Sequence, residues 1–231
     1  MQGKLIFGIG GLVIGLAAGF FAANSINRQA AVSSAPTAAP PLVADQLPQG
    51  STTQPTGGMQ ADVAATLEKA DNEPENFAAQ MKAGDMYAQI GRFEKAVEYY
   101  KRGIAINPQN LQANLVLANA LFDSQKFEEA EQYYSAAVQV DPKNVNALTD
   151  LGTTFVERKQ PDYDKAIVEF KKALEVDPKN PPTLYYLGIA HLRKGERTEA
   201  EKVLAELEKT NPTSDLVGRL KENLNPPTPT R

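Results

Sequence analysis

Residues 87–108 read YAQIGRFEKAVEYYKRGIAINP, and they contain the pattern that predicts the fold of the chain. Apolar side chains recur in it at helical spacing on both sides of Gly91, and Pro108 ends it. The pattern predicts two short helices, because glycine permits a tight turn between them and proline cannot continue the second one.

The stretch recurs along the chain with a period of about 34 residues. Prolines close successive units at 74, 108, 142, 178 and 212, with gaps of 34, 34, 36 and 34 residues. Four internal positions recur with the same period. One holds an aromatic residue, Leu or His, at Tyr87, Leu121, Phe155 and His191, and one holds a small residue, at Gly84, Ala118, Gly152 and Gly188. A third holds alanine, at Ala96, Ala130, Ala166 and Ala200, and a fourth holds a bulky residue, at Tyr100, Tyr134, Phe170 and Leu204. Small residues let helices approach closely and bulky ones fill the space between them. One unit cannot bury its own apolar face, so the units must stack.

These offsets resemble those of the tetratricopeptide repeat (TPR) family. Tyr87, Ala96, Tyr100 and Pro108 carry the resemblance in the first unit, and the other units align on them over residues 77–212. The resemblance implies an all-α fold, a right-handed solenoid of about four helix pairs. Two extra residues near 159–163 should lengthen the turn inside the third unit.

The register and the composition divide the chain into nine segments. Residues 61–72 precede Pro74 at the repeat spacing, so they predict a lone second helix, and Ser214 is a candidate N-cap for a final helix. The segments are a membrane anchor at 1–28, a disordered tether at 29–60, a lone helix at 61–76, repeats at 77–110, 111–144, 145–180 and 181–213, a capping helix at 214–225 and a tail at 226–231.

Residues 5–23, LIFGIGGLVIGLAAGFFAA, carry no charge and predict a single-pass membrane helix. Such a helix would span roughly 28 Å, close to the hydrocarbon core of about 30 Å. A cleaved signal peptide is the alternative, although it would have a shorter apolar core. The short N-terminal flank favours a periplasmic or extracytoplasmic position for the rest of the chain. Gly11, Gly15 and Gly19 share one stripe, on which a second helix could pack.

Residues 29–60 are rich in proline, alanine, serine and threonine, and Asp45 is their one charged residue. Such a composition cannot bury enough apolar surface to offset its ordering entropy, which predicts a disordered tether. Only Lys4 and Arg28 are charged before it, so residues 61–231 hold the other 22 basic and 27 acidic residues, and the acidity of the chain belongs to its helical part.

The composition also excludes several kinds of chemistry. The chain has no cysteine and one histidine, so it has no thiolate metal site, no cysteine nucleophile and no site built on two of its own histidines. That histidine, His191, occupies a packing position of the repeat. No phosphate-binding glycine motif occurs, and the mild acidity does not favour a nucleic-acid partner. We therefore expect no enzyme activity, no catalytic residue, no metal and no cofactor.

The resemblance implies a binding surface instead, because the first helices of TPR units line a concave groove that commonly binds a peptide. Some of the corresponding side chains could pack between helices rather than touch a ligand. The set of Lys, Asn and Arg residues with which some family members clamp a C-terminal carboxylate is missing. The positions carried over are Met81, Asp85, Gln89, Gln112, Leu115, Asn119, Phe122, Asp123, Asn146, Thr149, Thr153, Glu157, Tyr185, Ile189, Leu192 and Arg193.

Three functions follow as hypotheses. The first is a membrane-tethered scaffold that recruits a protein or peptide partner at the bacterial envelope, as an assembly or maturation factor. In a narrower version of this hypothesis, the chain holds an apocytochrome, as do the TPR subunits of bacterial c-type cytochrome biogenesis, to which its order of segments is similar. The third is a structural homo-oligomer without a peptide client.

Overall fold

The computed structural model describes residues 56–226, which form ten helices and no strand. The predicted anchor at 1–28, with Gly11, Gly15 and Gly19, lies outside these residues, as do most of the predicted tether and the end of the tail. No helix in the described part combines the length and the apolar character needed to cross a bilayer. The helices are α1 Thr56–Asn72, α2 Phe77–Gln89, α3 Phe93–Ile106, α4 Leu111–Asp123, α5 Phe127–Val140, α6 Val145–Glu157, α7 Tyr163–Val176, α8 Pro181–Lys194, α9 Arg197–Thr210 and α10 Asp215–Leu224.

The helices pack as consecutive antiparallel pairs. The pairs are α2 with α3, α4 with α5, α6 with α7, and α8 with α9, and the second helix of each of the first three pairs also packs against the first helix of the next. The predicted all-α solenoid of TPR-type units is therefore confirmed. The connection inside the third pair spans residues 158–162, against 90–92 and 124–126 in the first two, as the two extra residues predict.

Close helix contacts within the third pair depend on Gly152. A methyl group added at Gly152 would lie 2.5 Å from Cε1 of Phe170, whose side chain is fully buried. Gly84 faces Tyr100 in the same way in the first pair. Each small residue thus makes room for the ring that comes from the second helix of its own unit.

An asparagine N-cap begins each first helix. The side-chain oxygens of Asn76, Asn110, Asn144 and Asn180 accept a hydrogen bond from the backbone N–H three residues later. Asparagine is among the best N-caps because it satisfies a backbone donor that has no partner within the helix. The repeated asparagine therefore sets where each unit begins.

Helix α1 packs on the first pair through an apolar cluster that includes Leu67 and Ala70, and through polar contacts. Buried Gln80 of α2 donates through Nε2 to the Ala70 carbonyl, and the Tyr99 hydroxyl donates to Oδ1 of Asp71 at 3.1 Å. The Arg102 guanidinium pairs with the same carboxylate at 2.9 Å. Gln80 thus links α2 to a backbone carbonyl near the end of α1.

The lone helix also begins earlier than the sequence indicates. It starts at Thr56 rather than at residue 61, so the predicted tether ends before residue 60. The composition suggested residue 61 because the charged residues begin there. Met59 and Gln60 favour helix regardless of charge, which accounts for helix before residue 61, but Gly57 and Gly58 disfavour it, so helix propensity does not explain the start at Thr56.

Helix α10 covers the other end of the stack. It packs against α8 and α9, and its four apolar side chains are buried. The Ser214 hydroxyl accepts from the Leu216 backbone N–H at 3.3 Å and caps the helix. The buried side chains are Leu216, Val217, Leu220 and Leu224.

Candidate functional site

The first helices α2, α4, α6 and α8 carry the predicted groove, and α10 follows them in the stack; we call the shared surface of these five helices the first-helix face. Polar contacts cross directly between neighbours on it. The hydroxyls of Thr149 on α6 and Thr183 on α8 lie 2.7 Å apart, and the Arg219 guanidinium of α10 lies 5.1 Å from the centre of the Tyr185 ring on α8. These contacts place α6, α8 and α10 side by side.

Most of the predicted groove residues keep a solvent-accessible side chain. Three of them are exposed, namely Asp85, Gln89 and Gln112. Eight more are partly exposed: Met81, Leu115, Asn119, Asp123, Asn146, Glu157, Leu192 and Arg193. The open positions thus run from α2 to α8 and combine amides, carboxylates, one guanidinium and apolar groups.

Two of these polar side chains are fixed by tyrosines of the second helices. The Tyr100 hydroxyl donates to Oδ1 of Asp85 at 2.6 Å, and the Tyr134 hydroxyl donates to Oδ1 of Asn119 at 2.6 Å. Each tyrosine follows its partner by fifteen residues, a spacing that is visible in the sequence and was not used in the prediction. The bonds orient both side chains before any ligand arrives.

The other five predicted groove residues are buried, which corrects their assignment to an open surface. They are Phe122, Thr149, Thr153, Tyr185 and Ile189, each with 6 % or less of its surface exposed.

The two threonines and the two aromatic residues make hydrogen bonds and ring contacts inside the protein. The Thr149 and Thr153 hydroxyls donate to the carbonyls of Val145 and Thr149, four residues earlier on their own helix. The Phe122 ring meets Phe127 edge-on at 4.9 Å, and the Tyr185 ring meets Tyr186 edge-on at 5.1 Å. The Phe122 contact joins α4 to α5, and Thr149 and Tyr185 also meet neighbouring helices through Thr183 and Arg219.

Charge is distributed unevenly along the first-helix face. Asp85 and Asp123 lie on its first two helices, whereas Arg193 and Arg219 lie on its last two. Arg193 pairs with Glu157 of α6 at 2.9 Å. Among the described residues no carboxylate lies within ion-pair distance of Arg219. Arg219 was not among the predicted groove residues.

Burial shifts the titration of the two tyrosines beside these arginines. Burial raises the pKa of the Tyr185 hydroxyl, while Arg219 and Arg193 oppose part of that rise. Burial raises the pKa of Tyr186 further still. Both hydroxyls therefore keep their protons at neutral pH.

A second concave region lies at the longer turn of the third unit, with a volume of about 530 Å³. Arg158 crosses it and pairs with Glu131 at 3.1 Å and with Asp162 at 3.3 Å. Its lining mixes acidic and basic groups that already pair with one another, so it offers no charge preference to a ligand. Lys194 on its rim pairs with Asp164 at 2.8 Å.

The single histidine makes a structural contact near this turn. His191 is 8 % exposed, and its Nδ1 lies 2.7 Å from Oε2 of Glu196. Within residues 56–226 no group of three or more His, Cys, Asp or Glu side chains is arranged to hold a metal ion.

Comparison with protein families gives a match over more than half of the chain. A family described as tetratricopeptide repeat matches residues 91–151 and 157–224, and a second family of the same description matches residues 60–110. The curated proteins contain no sequence that matches this one.

Solved structures share the architecture at low sequence identity. YrrB, described as a TPR protein with an unusual peptide-binding site, has a TM-score of 0.64 at 18% identity, over 71% of this chain and 84% of its own. MamA from Desulfovibrio magneticus has a TM-score of 0.62 at 20% identity, over 69% and 89%. A thermophilic TPR protein of Thermus thermophilus has a TM-score of 0.55 at 21% identity, over 73% and 91%. These similarities concern the fold.

Proposed function

Because this chain belongs to the tetratricopeptide repeat family, we propose that its first-helix face binds an extended peptide segment of a partner protein. One observation carries the proposal: eleven of the carried-over groove positions keep accessible side chains on four successive first helices. A peptide laid across these helices would meet one or more such groups on each of them.

The chemistry of the open positions suits a peptide backbone. Gln89, Gln112 and Asn146 present amides, each of which can donate to a peptide carbonyl and accept from a peptide N–H. Leu115 is partly exposed and offers apolar contact, whereas the Met81 sulfur packs toward Gly103 of α3. YrrB shares the fold and is described as having a peptide-binding site, which supports the proposal by analogy of architecture alone.

Replacing two of these amides tests the proposal. The full-length chain in detergent is screened on an array of synthetic peptides of varied sequence, and the best binder is measured by fluorescence polarisation. The double variant Gln112→Ala, Asn146→Ala should bind it about 10-fold more weakly, because each lost hydrogen bond contributes about 0.5–1.5 kcal/mol.

The matched control removes two amides from the second helix α5. Gln132 and Gln139 are exposed there, and the variant Gln132→Ala, Gln139→Ala should bind the peptide like the unaltered chain. Equal weakening in both double variants would contradict the first-helix face as the binding surface. A chain that binds no peptide yet self-associates would support the structural homo-oligomer instead.

The apolar run at residues 5–23 supports a second part of the proposal, in which this scaffold is tethered to a membrane with its repeats on the extracytoplasmic side. An unfolded apocytochrome is a narrower choice of client, supported only by the order of apolar run, lone helix and repeats. After alkaline carbonate washing, the full-length chain should stay in the membrane pellet, while a chain that lacks residues 1–28 should not. Release of both chains into the supernatant would contradict the tether.

A further inference from the structure

Arg219 occupies a defined place at the end of the first-helix face. Its helix, α10, is fixed by four buried apolar side chains, and its guanidinium lies over the Tyr185 ring at 5.1 Å from the ring centre. The ring itself is 4 % exposed, whereas Arg219 remains partly exposed. The ring thus supports one face of the guanidinium, and part of the side chain still reaches solvent.

No carboxylate of the described residues contacts the Arg219 guanidinium directly. Arg219 forms no ion pair with any of them, although many other basic side chains do. Neighbouring Arg193 uses Nη1 for Glu157, and its Nη2 is buried with no hydrogen-bond partner among the described residues. Glu157 thus pairs with Arg193, and Asp150 of α6 acts on Tyr186 nearby, while Arg219 keeps its guanidinium free of a direct carboxylate contact.

The α2–α4 end of the face carries negatively charged side chains instead. Asp85 lies exposed on α2 and Asp123 is partly exposed on α4. An acidic ligand group would be repelled there and attracted near α10, so the charges define a direction along the face.

We propose that the α8–α10 end of the first-helix face binds an acidic side chain of the partner peptide, with Arg219 as its main contact and Arg193 as a second positive charge. A carboxylate fits because a guanidinium can donate two parallel hydrogen bonds to it, and such charge-assisted bonds are about twice as strong as neutral ones. This inference rests on the proposed function and adds to it the chemistry and the direction of the bound peptide.

Two peptide pools test the inference on the full-length chain in detergent. Both contain the same fluorescein-labelled octapeptides of mixed sequence, with two central glutamates in one pool and two central glutamines in the other. Fluorescence polarisation should show about 10-fold tighter binding of the glutamate pool. The variant Arg219→Gln should bring the ratio of the two pools' affinities close to one.

Arg92→Gln is the matched control, because it removes an exposed positive charge from the turn between α2 and α3 and should leave the preference intact. Equal binding of the two pools by the unaltered chain would overturn the inference and leave the proposed function standing. Equal weakening of both pools by Arg219→Gln would also overturn it, since Arg219 would then act on the fold. Binding of neither pool would overturn the inference together with the proposed function.

Discussion

Replacing Phe170 with alanine should lower the free energy of unfolding by about 3–5 kcal/mol, the usual cost of truncating a fully buried phenylalanine. Its side chain has no exposed surface, and its ring stacks on Tyr186 with centroids 6.4 Å apart. The cavity left by the ring would border Gly152, which has no side chain to fill it. We therefore expect the cost to lie toward the upper end of this range.

Urea unfolding of the full-length chain, followed by circular dichroism at 222 nm, measures this loss. Val168→Ala on the same helix is the control, because that side chain is 49% exposed and its truncation should change stability by less than about 0.5 kcal/mol. Phe170→Leu should fall between the two, since leucine fills part of the volume. A loss for Phe170→Ala no larger than that of Val168→Ala would contradict the central role of this ring.

The helix pairs could be predicted from the sequence because the packing that defines them is local. Gly152 and Phe170 belong to one unit, and the same combination of a small and a bulky residue returns in the first unit at Gly84 and Tyr100. A constraint that repeats every 34 residues is visible without knowledge of distant contacts. The start of α1 was less visible, because Thr56–Gln60 lie before the first proline of the repeat and carry no charge.

The site was harder to predict because it depends on contacts between units. Whether Thr149 lies open or buried is decided by how closely α8 approaches α6, and its hydroxyl contact with Thr183 shows that they meet. Tyr185 is buried for a similar reason, since Arg219 reaches it from the next first helix. Repeat positions identify a face of a helix, but they do not give the distance to the neighbouring unit.

Arg219 itself could have been found from the sequence. It follows Tyr185 by 34 residues and therefore occupies the same repeat position on α10. Treating α10 only as a cap left this position out of the groove. A capping helix of first-helix type both shields the stack and extends its binding surface by one helix, so the two roles should be considered together.

Leu220→Asp should detach α10 from the stack while the preceding helix pairs stay folded. The Leu220 side chain is fully buried, and a methyl group added at Gly188 of α8 would lie 2.7 Å from its Cδ2. A buried carboxylate without a partner costs more than the about 2–5 kcal/mol of a Leu→Ala truncation. The helix has ten residues, and helices of that length are marginal in water without packing partners.

Limited proteolysis with trypsin measures this detachment at the bonds after Arg219 and Lys221. An opening made easier by about 2 kcal/mol or more should raise the cleavage rate by about 30-fold at least. Glu222→Gln, an exposed change on the same helix, should leave the rate unchanged. Cleavage of Leu220→Asp at the rate of the unaltered chain would contradict the docking of α10 through this side chain.

The same variant should change two further properties, because α10 both covers the end of the stack and carries Arg219. Detachment exposes apolar surface of α8 and α9 that α10 covers, so sedimentation velocity should show concentration-dependent self-association. It also removes Arg219 from Tyr185, so the preference for glutamate peptides should disappear together with the protease resistance. Arg219→Gln should lose that preference alone and stay resistant to trypsin at the bond after Lys221, which separates the recognition of an acidic side chain from the integrity of the cap.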